Sequence, residues 1–325
     1  MAKFTRRDAL KVLGTGACAA ACTAAATATG RASSGGGEAP KDAVGMLYDA
    51  TVCVGCKACV TACTRANDLD PDTRRSGGLH QNPLMLNAQT KNIIKLHKNE
   101  ETGRFSYMKQ QCMHCLEPGC ASGCSFKAYH KNQWGVVTWK PDACMGCRYC
   151  QISCPFGIPK FDWDEFNPKL VKCELCFHRL QEGLEPACTA VCPVGAVVYG
   201  TREELLATAH RRIQESPGKY YEDRVYGEED FGGTQVLYLS RADVPFEDLG
   251  LPVRKKADGS LETTSVAEYG EKVHSIVYRY MAIPAAVYAV TAGVVVKRWK
   301  DHQTCLLYTS PSPRDRTRSR MPSSA

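Results

Sequence analysis

Between Cys144 and Pro155 the cysteines Cys144, Cys147, Cys150 and Cys154 form a C-x2-C-x2-C-x3-C-P run. With this spacing three thiolates on one tight loop cap a face of a 4Fe-4S cube, and the fourth reaches a second cube. The same spacing recurs at Cys53, Cys56, Cys59 and Cys63. Two further quartets, Cys112, Cys115, Cys120, Cys124 and Cys173, Cys176, Cys188, Cys192, lengthen only the middle gap. Sixteen of the nineteen cysteines are used in this way, and the expectation is four 4Fe-4S clusters with these sixteen thiolates as ligands.

Two other uses of so many cysteines fit less well. Zinc sites assemble C-x2-C pairs from two loops around one ion, which leaves the third cysteine of the regular quartets surplus. Disulfides within loops this short would be strained. The formal charge of +7 does not describe a basic domain. Lys3, Arg6, Arg7 and Lys11 stand against Asp8 at one end, and seven basic residues stand against Asp301 and Asp315 from Lys297 onward. The middle of the chain is therefore close to neutral and lacks the basic face that nucleic-acid binding needs.

At the N-terminus, Thr5-Arg6-Arg7-Asp8-Ala9-Leu10-Lys11 precedes an Ala-, Gly- and Thr-rich run. It resembles a twin-arginine export signal over residues 1–30, with Ala9 where that pattern usually has Phe. Export of a folded chain suits clusters that must be assembled before the membrane is crossed. Cys18 and Cys22 lie inside this segment and are not expected as ligands. Residues 31–43 read as a glycine-rich linker, and a four-cluster domain is expected over 44–240.

Within that domain Leu47-Tyr48-Asp49 leads into the first quartet as Val136-Val137-Thr138-Trp139 leads into the third. Ser125 to Tyr129 after the second quartet mirrors Pro193 to Val197 after the fourth, and Val54-Gly55 matches Met145-Gly146. This internal repeat implies an α+β fold with two ferredoxin-like cluster-binding units in tandem. Asn92–Leu96 and Phe105–Met108 read as a hairpin. Arg202–Ile213 reads as a helix capped by Thr201 and Glu204, and Gln235–Leu239 as a strand. Residues 241–279 read as an extension or linker.

Met281–Val296 carries no charge and is followed by Lys297-Arg298-Trp299-Lys300. A transmembrane helix is expected over 280–296, with its C-terminus in the cytoplasm by the positive-inside rule. Residues 297–325 read as a disordered tail, of which Cys305 to Asp315 resembles translated adapter sequence.

A cube closed by four thiolates exchanges single electrons and offers no open iron. No catalytic residue is expected, since the runs contain no nucleotide loop and no nucleophile with an evident base. Lys57, Arg148 and Lys172, beside ligands, are expected to tune potentials by charge. His114, inside Cys112-Met113-His114-Cys115, is not expected as a ligand.

From Gly45 to about Trp299 the chain resembles the iron-sulfur subunits of periplasm-facing respiratory enzymes, and most closely the hydrogenase-2 operon protein A family. Gly45-Met46-Leu47-Tyr48-Asp49, Lys109-Gln110-Gln111-Cys112-Met113-His114-Cys115, Cys147-Arg148-Tyr149-Cys150, Lys172-Cys173-Glu174-Leu175-Cys176 and Gly232-Gly233-Thr234-Gln235-Val236 carry the resemblance. It implies a subunit relaying electrons from a nickel-iron hydrogenase small subunit to an integral membrane quinone-reactive subunit, on the periplasmic side of the cytoplasmic membrane. The β subunit of formate dehydrogenase is similar and is the alternative. The resemblance also implies crossed ligation. Cys192 would complete the set of Cys53, Cys56 and Cys59, and Cys63 that of Cys173, Cys176 and Cys188. Cys154 would join Cys112, Cys115 and Cys120, and Cys124 would join Cys144, Cys147 and Cys150.

Overall fold

The computed structural model describes residues 40, 42–72, 83, 85–100, 102–163 and 170–308. The segment expected as a twin-arginine signal, most of the expected linker and the expected tail beyond Tyr308 lie outside the described residues. The chain divides into two units, Met1–Gly270 and Glu271–Ala325.

In chain order the elements are β1 (Val44–Asp49), α1 (Ala58–Ala66), β2 (Ile93–Lys98), β3 (Phe105–Gln110), α2 (Gly119–Ser122), β4 (Tyr129–Lys131), β5 (Val137–Trp139) and α3 (Tyr149–Ile152). They continue with β6 (Lys160–Phe161), β7 (Leu170–Val171), α4 (Phe177–Gln181), α5 (Ala187–Ala190), β8 (Val197–Thr201), α6 (Arg202–Glu215), β9 (Val236–Leu239) and α7 (Val266–Tyr308). The mixed helix and strand content agrees with the α+β expectation.

The pairing of strands shows how the repeat is assembled. β8, leaving the fourth quartet, runs antiparallel to β1, entering the first, with Met46 opposite Tyr199. β4, leaving the second quartet, runs antiparallel to β5, entering the third, with His130 opposite Thr138. The two units expected in tandem are therefore nested. An outer unit joins the first and fourth quartets, and an inner unit joins the second and third. A local cysteine motif carries no information on which distant strand will pair with it.

β9 completes the main sheet, parallel to β1, with Leu47 opposite Leu237. Alternation along β1 divides its side chains between two faces. Met46 and Tyr48 join the larger core with Met108, Met113 and Leu175. Leu47 packs with Leu237 and Leu239 against Leu205, Ala209 and Ile213 of α6. Each such leucine contributes on the order of 2 kcal/mol by burial. The capping box expected for α6 is present: Glu204 N–H donates to Thr201 Oγ1, and Thr201 N–H donates to Glu204 Oε2. Asp49, buried at the end of β1, accepts from Arg212 at 2.9 Å and from the Tyr220 hydroxyl at 3.3 Å.

The expected hairpin is β2–β3, in register from Ile93 opposite Gln110 to Lys98 opposite Phe105. Ile93, Ile94 and Met108 enter the larger core. The extension after β9 is packed on the same unit, contributing Val244, Phe246, Leu249, Leu251 and Val266 to that core.

The second unit is described as the helical stretch to Tyr308, with Pro284 inside the helix. Among the described residues no helix is long and apolar enough to cross a membrane. The segment 280–296, expected to span the membrane, lies within helix α7. Its sixteen uncharged residues cover about 24 Å at ~1.5 Å per residue, short of a hydrocarbon core of ~30 Å. Ala, Thr291 and Gly293 further dilute its hydrophobicity.

Candidate metal centres

The nested sheets bring the sixteen cysteines together in four crossed sets. Site 1 is a recess of about 320 Å³ walled by Cys53, Cys56, Cys59 and Cys192. Cys192 arrives there because β8 is paired with β1. Site 2 gathers Cys63, Cys173, Cys176 and Cys188. Cys63 lies in the field of Cys188 and Cys176, and Cys173 in that of Cys63 and Cys188. Asn67 Nδ2 stands 3.6 Å from Cys63 Sγ and 3.9 Å from Cys176 Sγ. Site 3 is a recess of about 370 Å³ walled by Cys112, Cys115, Cys120 and Cys154. Site 4, of about 320 Å³, is walled by Cys124, Cys144, Cys147 and Cys150.

These sets fit a polynuclear group better than a single ion. Four thiolates around zinc at ~2.3 Å would stand within about 4 Å of one another. Among the described residues no three His, Cys, Asp or Glu side chains come close enough to hold one metal ion. At sites 1, 3 and 4 the thiols instead line open recesses.

Local backbone geometry explains how each loop turns around its recess. Gly55 and Gly146 take φ of +69° and +74°, and Lys57 and Arg148, each preceding a short helix, take 61° and 65°. The left-handed turn directs amides inward. Gly55 N–H donates to Cys53 Sγ at 3.5 Å, Ala128 N–H to Cys124 Sγ at 3.3 Å and Leu175 N–H to Cys173 Sγ at 3.4 Å.

Burial sets the electrostatics. It pushes the Cys59 and Cys63 thiols up to about 12, and Cys150 and Cys154 to about 11. These groups are proton-bearing at neutral pH unless positive charge displaces the proton. Two fully buried lysines supply part of that charge. Burial alone would depress Lys109, but the fields of Cys188, Cys59, Cys173 and Cys63 outweigh it and hold its pKa above the ordinary value. It donates to Gln111 Oε1. Lys172 is likewise raised against the cost of burial by Cys112, Glu174, Cys120 and Cys173, and donates to Val137 O and Cys173 O. Lys109 thus serves sites 1 and 2, and Lys172 serves sites 2 and 3.

Lys172 stands where the sequence placed it, whereas Lys109 was missed. It sits in an alternating strand pattern that reads as a solvent-facing lysine. Its position shortly before Cys112 was the available signal. Arg148 lines site 4, and Lys57 lines site 1. His114 is structural. Its Nδ1 accepts from Val137 N–H at 3.1 Å, and burial, then Lys172 and Lys131, push its pKa well below the ordinary value.

The chain is similar in sequence to known iron-sulfur proteins. Residues 104–202 match the 4Fe-4S dicluster domain family. The hydrogenase-2 operon protein HybA of Escherichia coli O157:H7 is 38% identical over 295 residues, covering 80% of this chain and 86% of that protein. HybA of Shigella flexneri matches to the same extent. The iron-sulfur subunit of the nitrate-inducible formate dehydrogenase of Escherichia coli K12 is 34% identical over 255 residues, 75% of this chain and 86% of that subunit. With this likeness along most of its length, the chain belongs to the HybA family of iron-sulfur electron-transfer subunits, to which the formate dehydrogenase iron-sulfur subunits are related.

Proposed function

We propose that the sixteen cysteines hold four 4Fe-4S clusters, one at each site, and that the chain relays electrons from a periplasm-facing nickel-iron hydrogenase to a quinone-reactive membrane subunit. Each closed cube, when bound, supplies one-electron exchange and no open iron. The protein's part is to space the sites, exclude water and place charge between them.

The observation that carries this reading is the distribution of exposure. Of the sixteen cysteines only Cys56 and Cys147 are exposed, and they belong to sites 1 and 4. Sites 2 and 3 lie between them in the electrostatic order: Cys59 feels Cys188, Cys173 feels Cys112, and Cys120 feels Cys150. A chain whose exposed ligand cysteines stand only at its two ends suits a protein that must meet one donor and one acceptor. The hydrogenase small subunit is the donor in this reading.

The twin-arginine segment supports delivery to the periplasmic side of the cytoplasmic membrane. The formate dehydrogenase reading is supported by the 34% identity to such a subunit, and the chain's own export signal favours hydrogenase.

Three measurements test the proposal. Anaerobically purified protein should be brown and contain about sixteen iron and sixteen sulfide, the sum over four cubes; a colourless zinc protein would end the conduit reading. Deleting the chain should leave hydrogen oxidation with an artificial dye intact and abolish hydrogen-dependent quinone reduction. Copurification from detergent-solubilised membranes with a molybdopterin enzyme instead of a nickel-iron hydrogenase would transfer the argument to formate dehydrogenase.

A further inference from the structure

Sites 1 and 4 are copies of one loop, so position-by-position differences between them are informative. Lys57 at site 1 corresponds to Arg148 at site 4, and Val197 to Tyr129. The Arg148 guanidinium lies 3.8 Å above the ring of Trp163 and 5.9 Å from that of Phe161. Its Nε is buried with no acceptor in the protein, although the side chain lines site 4. The Tyr129 hydroxyl lines the same recess and is buried there beside the Cys150 thiol. At site 1 the wall tyrosine is already satisfied, since the Tyr48 hydroxyl donates to Tyr107 O at 2.7 Å.

Buried donors in folded proteins have acceptors. Those that a 4Fe-4S cube would bring to site 4 are its sulfur atoms. Hydrogen bonds to sulfur favour the reduced, more negative cube and raise its potential, and those from a charged donor are the stronger ones. We propose that Arg148 and Tyr129 donate to cluster sulfur at site 4 and hold its reduction potential above that of site 1. Trp163 acts as a positioning residue that fixes the guanidinium. Site 4 is then the end of the chain at which an electron comes to rest. This inference rests on the four-cluster reading.

The test is an EPR-monitored redox titration of the full-length chain, purified anaerobically. Cys147→Ser identifies the site 4 signal and Cys56→Ser the site 1 signal, each by altering one ligand. In the wild-type chain the site 4 midpoint should be the higher. Arg148→Met and Tyr129→Phe should each lower that midpoint, the double variant further, leaving the site 1 midpoint in place. Trp163→Leu should lower it by less. Arg148→Lys, which keeps the charge but loses Nε, should restore only part of the shift.

Midpoints unmoved in these variants at full iron content would overturn the proposal, as would a wild-type site 4 midpoint below that of site 1. If Arg148→Met loses the cluster, Trp163→Leu and Arg148→Lys still decide. Failure of the underlying reading is visible separately, because a wild-type chain with no signal altered by Cys147→Ser has no cluster at site 4 and ends both.

Discussion

The outer unit, built from the first and fourth quartets, and the inner unit, built from the second and third, use the same loop and cover it differently. In the outer unit the β2–β3 hairpin closes over the loop. A Cβ at Gly55 would stand 2.2 Å from the Tyr107 ring, and Lys109 from the same strand is wholly buried among Cys188, Cys59, Cys173 and Cys63. In the inner unit a Cβ at Gly146 would meet nothing within 4 Å. Phe126, Met145, Ile152 and Trp163, at 50%, 62%, 65% and 61% exposure, remain in contact with solvent around that loop. Cysteine spacing thus fixes the shape of a cluster loop, while the segment laid over it fixes its environment.

The largest effect that would break this contrast is at Lys109. Lys109→Met removes the buried cation of the outer unit, and breaking a buried charge pair is strongly destabilising. The outer pair of clusters should be lost and the inner pair kept, so iron per chain should fall to about half, because an uncompensated buried charge is lost with its partner. Full iron content in this variant would show that the hairpin's charge does not hold the outer sites.

Next in size is the glycine pair. Both positions have positive φ, where a Cβ costs roughly 1–2 kcal/mol. Gly146→Ala should therefore lower stability by about that amount in denaturant unfolding. Gly55→Ala must also displace the Tyr107 ring, and overpacking adds roughly 1–3 kcal/mol. Equal losses in the two variants would mean that the hairpin yields freely and does not seal the outer loop.

The smallest effect concerns α6, which follows β8 directly, whereas β4 is followed by the turn into β5. Thr201→Ala removes the cap and should cost about 1 kcal/mol, read as a shift in the urea midpoint with iron content unchanged. A loss of outer-site iron here would show that helix α6 shapes the sites as well as the sheet.

Short-range patterns were legible in the sequence. The four quartets, the hairpin and the capping box of α6 depend on residues a few positions apart, and each is found where the pattern places it. The long-range pairing was not legible in cysteine spacing and was expected only through the family resemblance, as the crossed ligand sets. The nesting depends on β1 meeting β8 across most of the folded unit, which no local spacing encodes. Lys109 has the alternation of a surface lysine, and only the thiols that surround it make its burial tolerable. The correspondence of Arg148 with Lys57 could be aligned beforehand, but not the Trp163 ring beneath one of them.

Nesting also imposes an order on biogenesis. Site 3 has all its cysteines once Cys154 has been synthesised, and site 4 does too. Site 2 must wait for Cys188, and site 1 for Cys192. A nascent chain therefore exposes the thiols Cys53, Cys56 and Cys59, the first of the sixteen to be made, without their fourth partner until Cys192 has left the ribosome. Of the sixteen, the earliest cysteines to emerge are the last to be enclosed, and a chain ending before Cys188 would hold every inner-site cysteine beside incomplete outer sets.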